Sequence, residues 1–277
     1  MRGLPRGKNK RIAGAVPLLV RDIVSPVYPA LYEDELVTKA RALIREQGLG
    51  ILPIIDKQKR LLGVISRRSI LAITSSVSAI KVKGIMSEPS FITTLDTDAS
   101  EAGREMIRLD SWYTPVVNSV QNKTYAGVLG LENFIDVFTK KKSSKLMRPV
   151  YEIMSTNVKT CSPDDEIDNV WRSMQDTHLH ALLVIRKNKL LGIVTEKDLL
   201  ESGAVFPSFE SKKGRFKSPT KISSIMRTPA VTLKEAASVK EAARLMLEKK
   251  FGRLPIVDEK GTLLGVIDRK EVVKALL

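Results

Sequence analysis

Thr195 and Asp198 stand three residues apart where an apolar strand pattern gives way to a helical one. That spacing is the reciprocal capping box, in which the hydroxyl accepts from the amide three residues on and the carboxylate accepts in return from the amide at the start. The corner it orders gathers a hydroxyl, a carboxylate and the unpaired amides of a helix N-terminus in one place. That set suits a ribose and a phosphate. Capping alone would also account for both residues.

The elements that must hold the corner are legible around it. Leu182–Ile185 and Leu190–Val194 are short apolar runs separated by the polar turn 186–189, and a helical pattern starts at Asp198-Leu199-Leu200. The unit is a hairpin running into a helix, and the chain repeats it. A glycine in the second strand recurs at Gly63, Gly127, Gly192 and Gly265, at spacings of 64, 65 and 73 residues. Ahead of each lies a second phrase: Ile23-Val24-Ser25, Ile85-Met86-Ser87, Ile153-Met154-Ser155 and Ile225-Met226-Arg227. Two phrases in the same order, four times over, make the chain a four-repeat array.

Between the two phrases each copy carries a helical stripe. Leu36, Ala40, Leu43 and Ile44 mark it in the first copy, Ala102, Met106 and Leu109 in the second, Ile167, Val170, Trp171 and Met174 in the third, and Val239, Ala242, Ala243 and Met246 in the fourth. Ser162-Pro163-Asp164-Asp165 reads as the start of the third helix. The segments expected are a basic arm at 1–19, repeats at 20–80 and 81–140, a basic linker at 141–148, a repeat at 149–206, a basic insertion at 207–221 and a repeat at 222–277.

The formal net charge of +15 is confined to three of these places. The arm with Arg21 carries +6, residues 140–148 carry +5 and residues 210–221 carry +4, leaving the repeats neutral. Such runs read as solvated segments able to meet a polyanion, nucleic acid included, in a salt-sensitive and sequence-blind way, since few aromatics interleave with the lysines. The single Cys161 excludes an intrachain disulfide, and two histidines with one cysteine argue against a built-in zinc site. A long uncharged apolar run and a signal-peptide pattern are both missing, so a cytoplasmic protein without a membrane partner is expected.

The Ile-Met-Ser phrase, the amphipathic helix, the Pro-led strand at Pro53, Pro115 and Pro255, and the Gly-Ile-Val-Thr-Glu-Lys-Asp corner resemble the cystathionine-beta-synthase (CBS) domain. A chain of four such units resembles the nucleotide-sensing gamma subunit of AMP-activated protein kinase and the stand-alone four-repeat proteins of microbes. The resemblance implies an α+β fold of four β-α-β-β-α repeats, paired into two Bateman modules and assembled as a disc or a head-to-head dimer of modules. It implies a non-catalytic sensor, monomeric or homodimeric, that needs no cofactor and modulates a partner such as a protein kinase or another regulated enzyme. Its ligand would be an adenine nucleotide, AMP or ADP first and ATP also, held between repeats 3 and 4.

Within that resemblance Asp198 would hold the ribose hydroxyls and Thr195 and Arg253 the phosphate. His180 stands at a strand entrance that faces the nucleotide, and the adenine would lie along Val158 and Lys159. Ser66-Arg67-Arg68-Ser69 lacks the carboxylate and Gly130-Leu131-Glu132-Asn133 lacks both groups, so the first two corners are expected to be weak or structural. Asp268 at the fourth corner puts a carboxylate where a hydroxyl would face phosphate. The alternatives are a polyanion binder, an S-adenosylmethionine binder, and a scaffold with no small ligand.

Overall fold

A computed structural model describes residues 17–73, 79–141, 143–187, 189–203 and 220–277. Most of the basic arm and of the 207–221 insertion therefore lies outside the described residues. One order of elements occurs four times. The first copy comprises β1 (Leu31–Tyr32), α1 (Val37–Gln47), β2 (Ile51–Ile55), β3 (Leu61–Ser66) and α2 (Arg67–Leu71). The second has β4 (Thr93–Thr94), α3 (Ala99–Arg108), β5 (Tyr113–Val117), β6 (Tyr125–Gly130) and α4 (Leu131–Thr139). The third has β7 (Thr160–Cys161), α5 (Ile167–Asp176), β8 (Ala181–Arg186), β9 (Lys189–Thr195) and α6 (Glu196–Ser202). The fourth has β10 (Leu233–Lys234), α7 (Val239–Glu248), β11 (Arg253–Val257), β12 (Leu263–Asp268) and α8 (Arg269–Leu276).

Each copy forms a three-stranded sheet in which the short first strand runs parallel to the second and the second antiparallel to the third. The prolines fit because the short strand reaches only the far end of its neighbour. Leu31 and Tyr32 pair with Ile54 and Ile55, so Pro53 lies on a stretch with one free side and no ladder donor is lost. The centres of the stripes read from the sequence are buried, with Val239, Ala242, Ala243 and Met246 at 0% exposure. Leu43 is half-buried, and the end positions Leu36 and Leu109 cap their helices, Leu36 exposed and Leu109 half-buried. Helix α1 ends at Gly48 in the left-handed region, with φ of 65°. The third helix differs from expectation. Ser162–Asp165 forms a turn in which Asp165 Oδ2 accepts from Ser162 N at 2.8 Å, and α5 begins after Glu166, which an antiparallel bridge to Lys221 holds extended.

Two different contacts assemble the copies. Helices bury their stripes in two cores, one shared by repeats 1 and 3 and the other by repeats 2 and 4. Helix α2 meets α6, and α4 meets α7 and α8. Sheets are joined the other way, 1 with 2 and 3 with 4, by the segment after each Ile-Met phrase. Ser25 bridges Val128, Ser87 bridges Val64, Ser155 bridges Val266 and Arg227 bridges Ile193. Each tail thus crosses to the sheet of its partner repeat. This gives two sheet-joined modules facing one another through helices in a disc.

The crossing explains the repeated glycine. A Cβ on Gly63, Gly127, Gly192 or Gly265 would come within 2.8, 2.6, 2.4 or 2.7 Å of the carbonyl oxygen of Ser87, Ser25, Arg227 or Ser155. Only glycine lets the partner's tail lie against the strand.

Candidate functional site

Because tails cross, the third repeat's tail meets the fourth repeat's corner. Between them lies a cleft of about 170 Å³. Ser155, Asn157, Val158 and Lys159 from the tail form one wall, and Leu179, His180, Ala181 and Leu183 at the entrance to β8 form the second. Val266 with Asp268, Lys270 and Glu271 at the corner of β12 and α8 closes the third, and Arg253, Trp112 and Asp110 complete the lining. Apolar Val158, Leu179, Leu183 and Val266 and the charged Lys159, Arg253, Asp268, Lys270 and Glu271 line one cleft, a surface suited to a planar heterocycle bearing a polar arm.

Of the six residues expected to bind ligand, Val158, Lys159, His180 and Arg253 come together here, while Thr195 and Asp198 do not. The expectation that joined the tail at 158–159 to the corner at 195–198 placed both in one repeat. Strand crossing separates them, and the third corner instead faces the fourth repeat's tail. Asp268, Lys270 and Glu271 were missed as wall residues for the same reason, since nothing local to them signals which tail they meet.

The third corner is nonetheless ordered as its spacing predicts. Asp198 N donates to Thr195 Oγ1 at 3.2 Å, and Asp198 Oδ2 accepts from Thr195 N at 2.9 Å and from its hydroxyl at 2.6 Å. The other oxygen, Oδ1, is taken by Arg227 Nε at 2.5 Å, and Arg227 also reaches Glu201 at 3.1 Å. The Asp198 side chain is 4% exposed. Arg253 was expected to act with Asp198. It lies against its own repeat's corner instead, donating to Asp268 Oδ2 at 3.3 Å and to the Ala181 carbonyl at 3.2 Å, with its guanidinium 5.8 Å from the Trp112 ring centroid.

Asp268 and Glu271 form a capping box at the fourth corner. Asp268 Oδ1 accepts from Lys270 N at 2.7 Å, and Asp268 N donates to Glu271 Oε2 at 3.0 Å. Burial, the hydrogen bond with Asp268 and the charge of Asp268 push the Glu271 carboxyl up to about 7. Burial acts upward on Asp268 too, but the Glu271 hydrogen bond and the cations Arg253 and Lys270 hold it below the usual carboxylate range. The pair thus keeps one proton near neutrality, on Glu271.

His180 joins the cleft to the first repeat. Its Nδ1 lies 3.1 Å from Glu196 Oε2, and its ring meets Trp112 edge-on at 6.0 Å. Glu196 is buried, yet Arg68 at 3.0 Å and His180 outweigh burial and hold its carboxyl below its ordinary value. At the first corner both arginines are committed to the protein, Arg68 to Glu196 and Arg67 to the Gly48 carbonyl.

The first module closes the equivalent place. Tyr28 stands five residues after Ile23 as Val158 stands five after Ile153. Its hydroxyl donates to the Ile51 carbonyl at 2.8 Å, at the register of Ala181 in β8. Asn133 Nδ2 donates to Ser25 Oγ at 3.1 Å, so the second corner is also spent within the protein.

The CBS domain family matches residues 20–75, 150–204 and 222–277. Protein MJ1404 of Methanocaldococcus jannaschii is 29% identical over 269 residues, which cover 92% of this chain and 61% of that protein, so the chain spans about three fifths of its length. Protein MJ1225 of the same organism is 22% identical over 261 residues, covering 88% of this chain and 93% of its own. The crystal structure of MJ1225 matches with a TM-score of 0.83 at 20% identity, covering 94% of this chain and 100% of that one, a likeness of fold. No helix among the described residues is long and apolar enough to cross a membrane. Residues 81–140 lie outside the family match, yet β4, α3, β5, β6 and α4 repeat the order of the other three copies. With three matched segments and a fourth copy of the same build, the chain belongs to the CBS-domain family and is made of four such repeats.

Proposed function

We propose that this protein is a non-catalytic sensor that binds an adenosine nucleotide, AMP or ADP, in the cleft between repeats 3 and 4 and so modulates a separate regulated enzyme. The observation that carries the reading is the convergence of Val158, Lys159, His180 and Arg253 on one cleft that Asp268 and Glu271 also line. In this reading the base lies between Val158, Leu183 and Val266 and meets the backbone of 157–159 and of Ala181. Glu271 takes the ribose hydroxyls, and Lys159, Arg253 and Lys270 face the phosphate. Hydrogen bonds from the charged Lys159, Arg253 and Lys270 are worth about 1.5–3 kcal/mol each, and those of the neutral Glu271 carboxyl about 1 kcal/mol. His180 transmits occupancy through Glu196 to Arg68 in the opposite module.

Asp268 favours a second ligand, S-adenosylmethionine, because a carboxylate beside the ligand's 5′ substituent suits a cation. Calorimetric titration with AMP, ADP, ATP, adenosine and S-adenosylmethionine separates the two. Tightest binding of AMP or ADP is expected, and tightest binding of S-adenosylmethionine would overturn the phosphate assignment. No binding of any of the five would leave a scaffold.

A further inference from the structure

The segments that cross between sheets differ at one position. Ser25, Ser87, Ser155 and Arg227 occupy the same register, each directly after the Ile-Met or Ile-Val phrase and each bridged to the partner's third strand. At Ser155 the place between tail and corner is the open cleft. At Arg227 the same construction is present, with backbone hydrogen bonds of 2.9 and 3.1 Å to Ile193 and a capped corner beside it, but the side chain is long and cationic. It turns onto that corner, placing Nε 2.5 Å from Asp198 Oδ1 and a terminal nitrogen 3.1 Å from Glu201.

We propose that Arg227 is an intramolecular occupant of a second nucleoside site at the third corner, taking the Asp198 oxygen that ribose hydroxyls would otherwise meet. The chain then holds one adenine ligand rather than two. The latch is reversible in principle, because the Arg227 side chain is 51% exposed while the carboxylate it covers is 4% exposed. Releasing it returns a guanidinium to water and leaves Asp198 still held by Thr195 through two hydrogen bonds. An anion that attracts Arg227 away from Asp198 would therefore uncover the site without unfolding the corner.

The inference rests on the reading of the cleft as an adenine site, and the test separates them. AMP is titrated calorimetrically into the natural chain, Arg227→Ser, Arg227→Met and Arg227→Ser/Asp198→Asn, with melting checked for each. Arg227→Ser restores the residue of the other three tails, and Arg227→Met keeps the stem should serine loosen the tail. One AMP per natural chain, two per Arg227 variant with the added affinity within about tenfold of the first, and one again in the double variant is the expected result. One AMP in every protein overturns the latch. Two in the natural chain also overturn it, since Arg227 would then serve the ligand's phosphate. None in the natural chain but one in Arg227→Ser keeps the latch and sinks the cleft reading, and none in any protein sinks both.

Discussion

Ser155 N donates to the Val266 carbonyl at 2.8 Å and the Ser155 carbonyl accepts from Val266 N at 2.9 Å. This pair, drawn from different repeats, decides which corner the third repeat's tail serves. Downstream of it Val158 and Lys159 lie opposite Asp268 and Glu271, and the mirror pair of Ile193 with Arg227 sends the third corner to the other tail.

The shared proton at the fourth corner gives a pH signature. A carboxyl that keeps its proton to about 7 when folded, against an ordinary value of 4.5, contributes stability that is complete below pH 4.5 and declines as the pH rises through 7. Asp268, held low, contributes in the opposite sense and loses its contribution as the pH falls. Glu271→Gln keeps the neutral form at all pH values. It should melt a few °C above the natural chain at pH 8, for roughly 1–2 kcal/mol, and close to it at pH 4.5. Equal melting temperatures at pH 8 would show that Glu271 is not held protonated.

Arg253 separates phosphate recognition from packing. Arg253→Ala should weaken AMP by roughly tenfold and adenosine by much less, a coupling of about 1 kcal/mol or more between the guanidinium and the phosphate. If the residue acts only through Asp268 and Trp112, both ligands should weaken alike and the melting temperature should fall. Titrating both ligands into both proteins closes the cycle.

Glu196 is the joint between modules. Glu196→Ala leaves Arg68, whose side chain is 25% exposed, without its carboxylate partner between repeats 1 and 3. A loss of roughly 2–3 kcal/mol is expected in urea denaturation, toward the lower side for a broken buried pair because Arg68 keeps some water. A change under 0.5 kcal/mol would remove the pair from the interface energetics.

Much of this was legible in the sequence because it is local. The capping boxes at Thr195 and Asp268 and the stripe of Val239, Ala242, Ala243 and Met246 depend on neighbours a few residues away, and the glycine, whose cause is the distant crossing tail, shows as a local recurrence. The four-repeat array followed from the recurring phrases, and the fold class from their resemblance to the CBS domain. The partnership of Val158 with Glu271 was not legible, because the bridge that makes it joins two repeats and looks the same in all four copies. Arg227 was the visible signal. It breaks a run of three serines at one register, and an arginine there calls for a carboxylate, which the third corner supplies in Asp198. Tyr28 was a second, a bulky ring at the register of Val158.

Tyr28 also supplies the most direct test of the central claim that the adenine site is the cleft between the third tail and the fourth corner. Val158→Tyr copies into the third repeat the residue that closes the first module, where the hydroxyl reaches the Ile51 carbonyl at 2.8 Å. A tyrosine at 158 would fill a cleft of about 170 Å³ and reach toward Ala181. Titration of AMP into Val158→Tyr should show affinity lowered by at least a hundredfold, about 2.7 kcal/mol or more, with the melting temperature unchanged or raised. AMP bound as tightly as by the natural chain, in a protein that melts normally, would contradict the account.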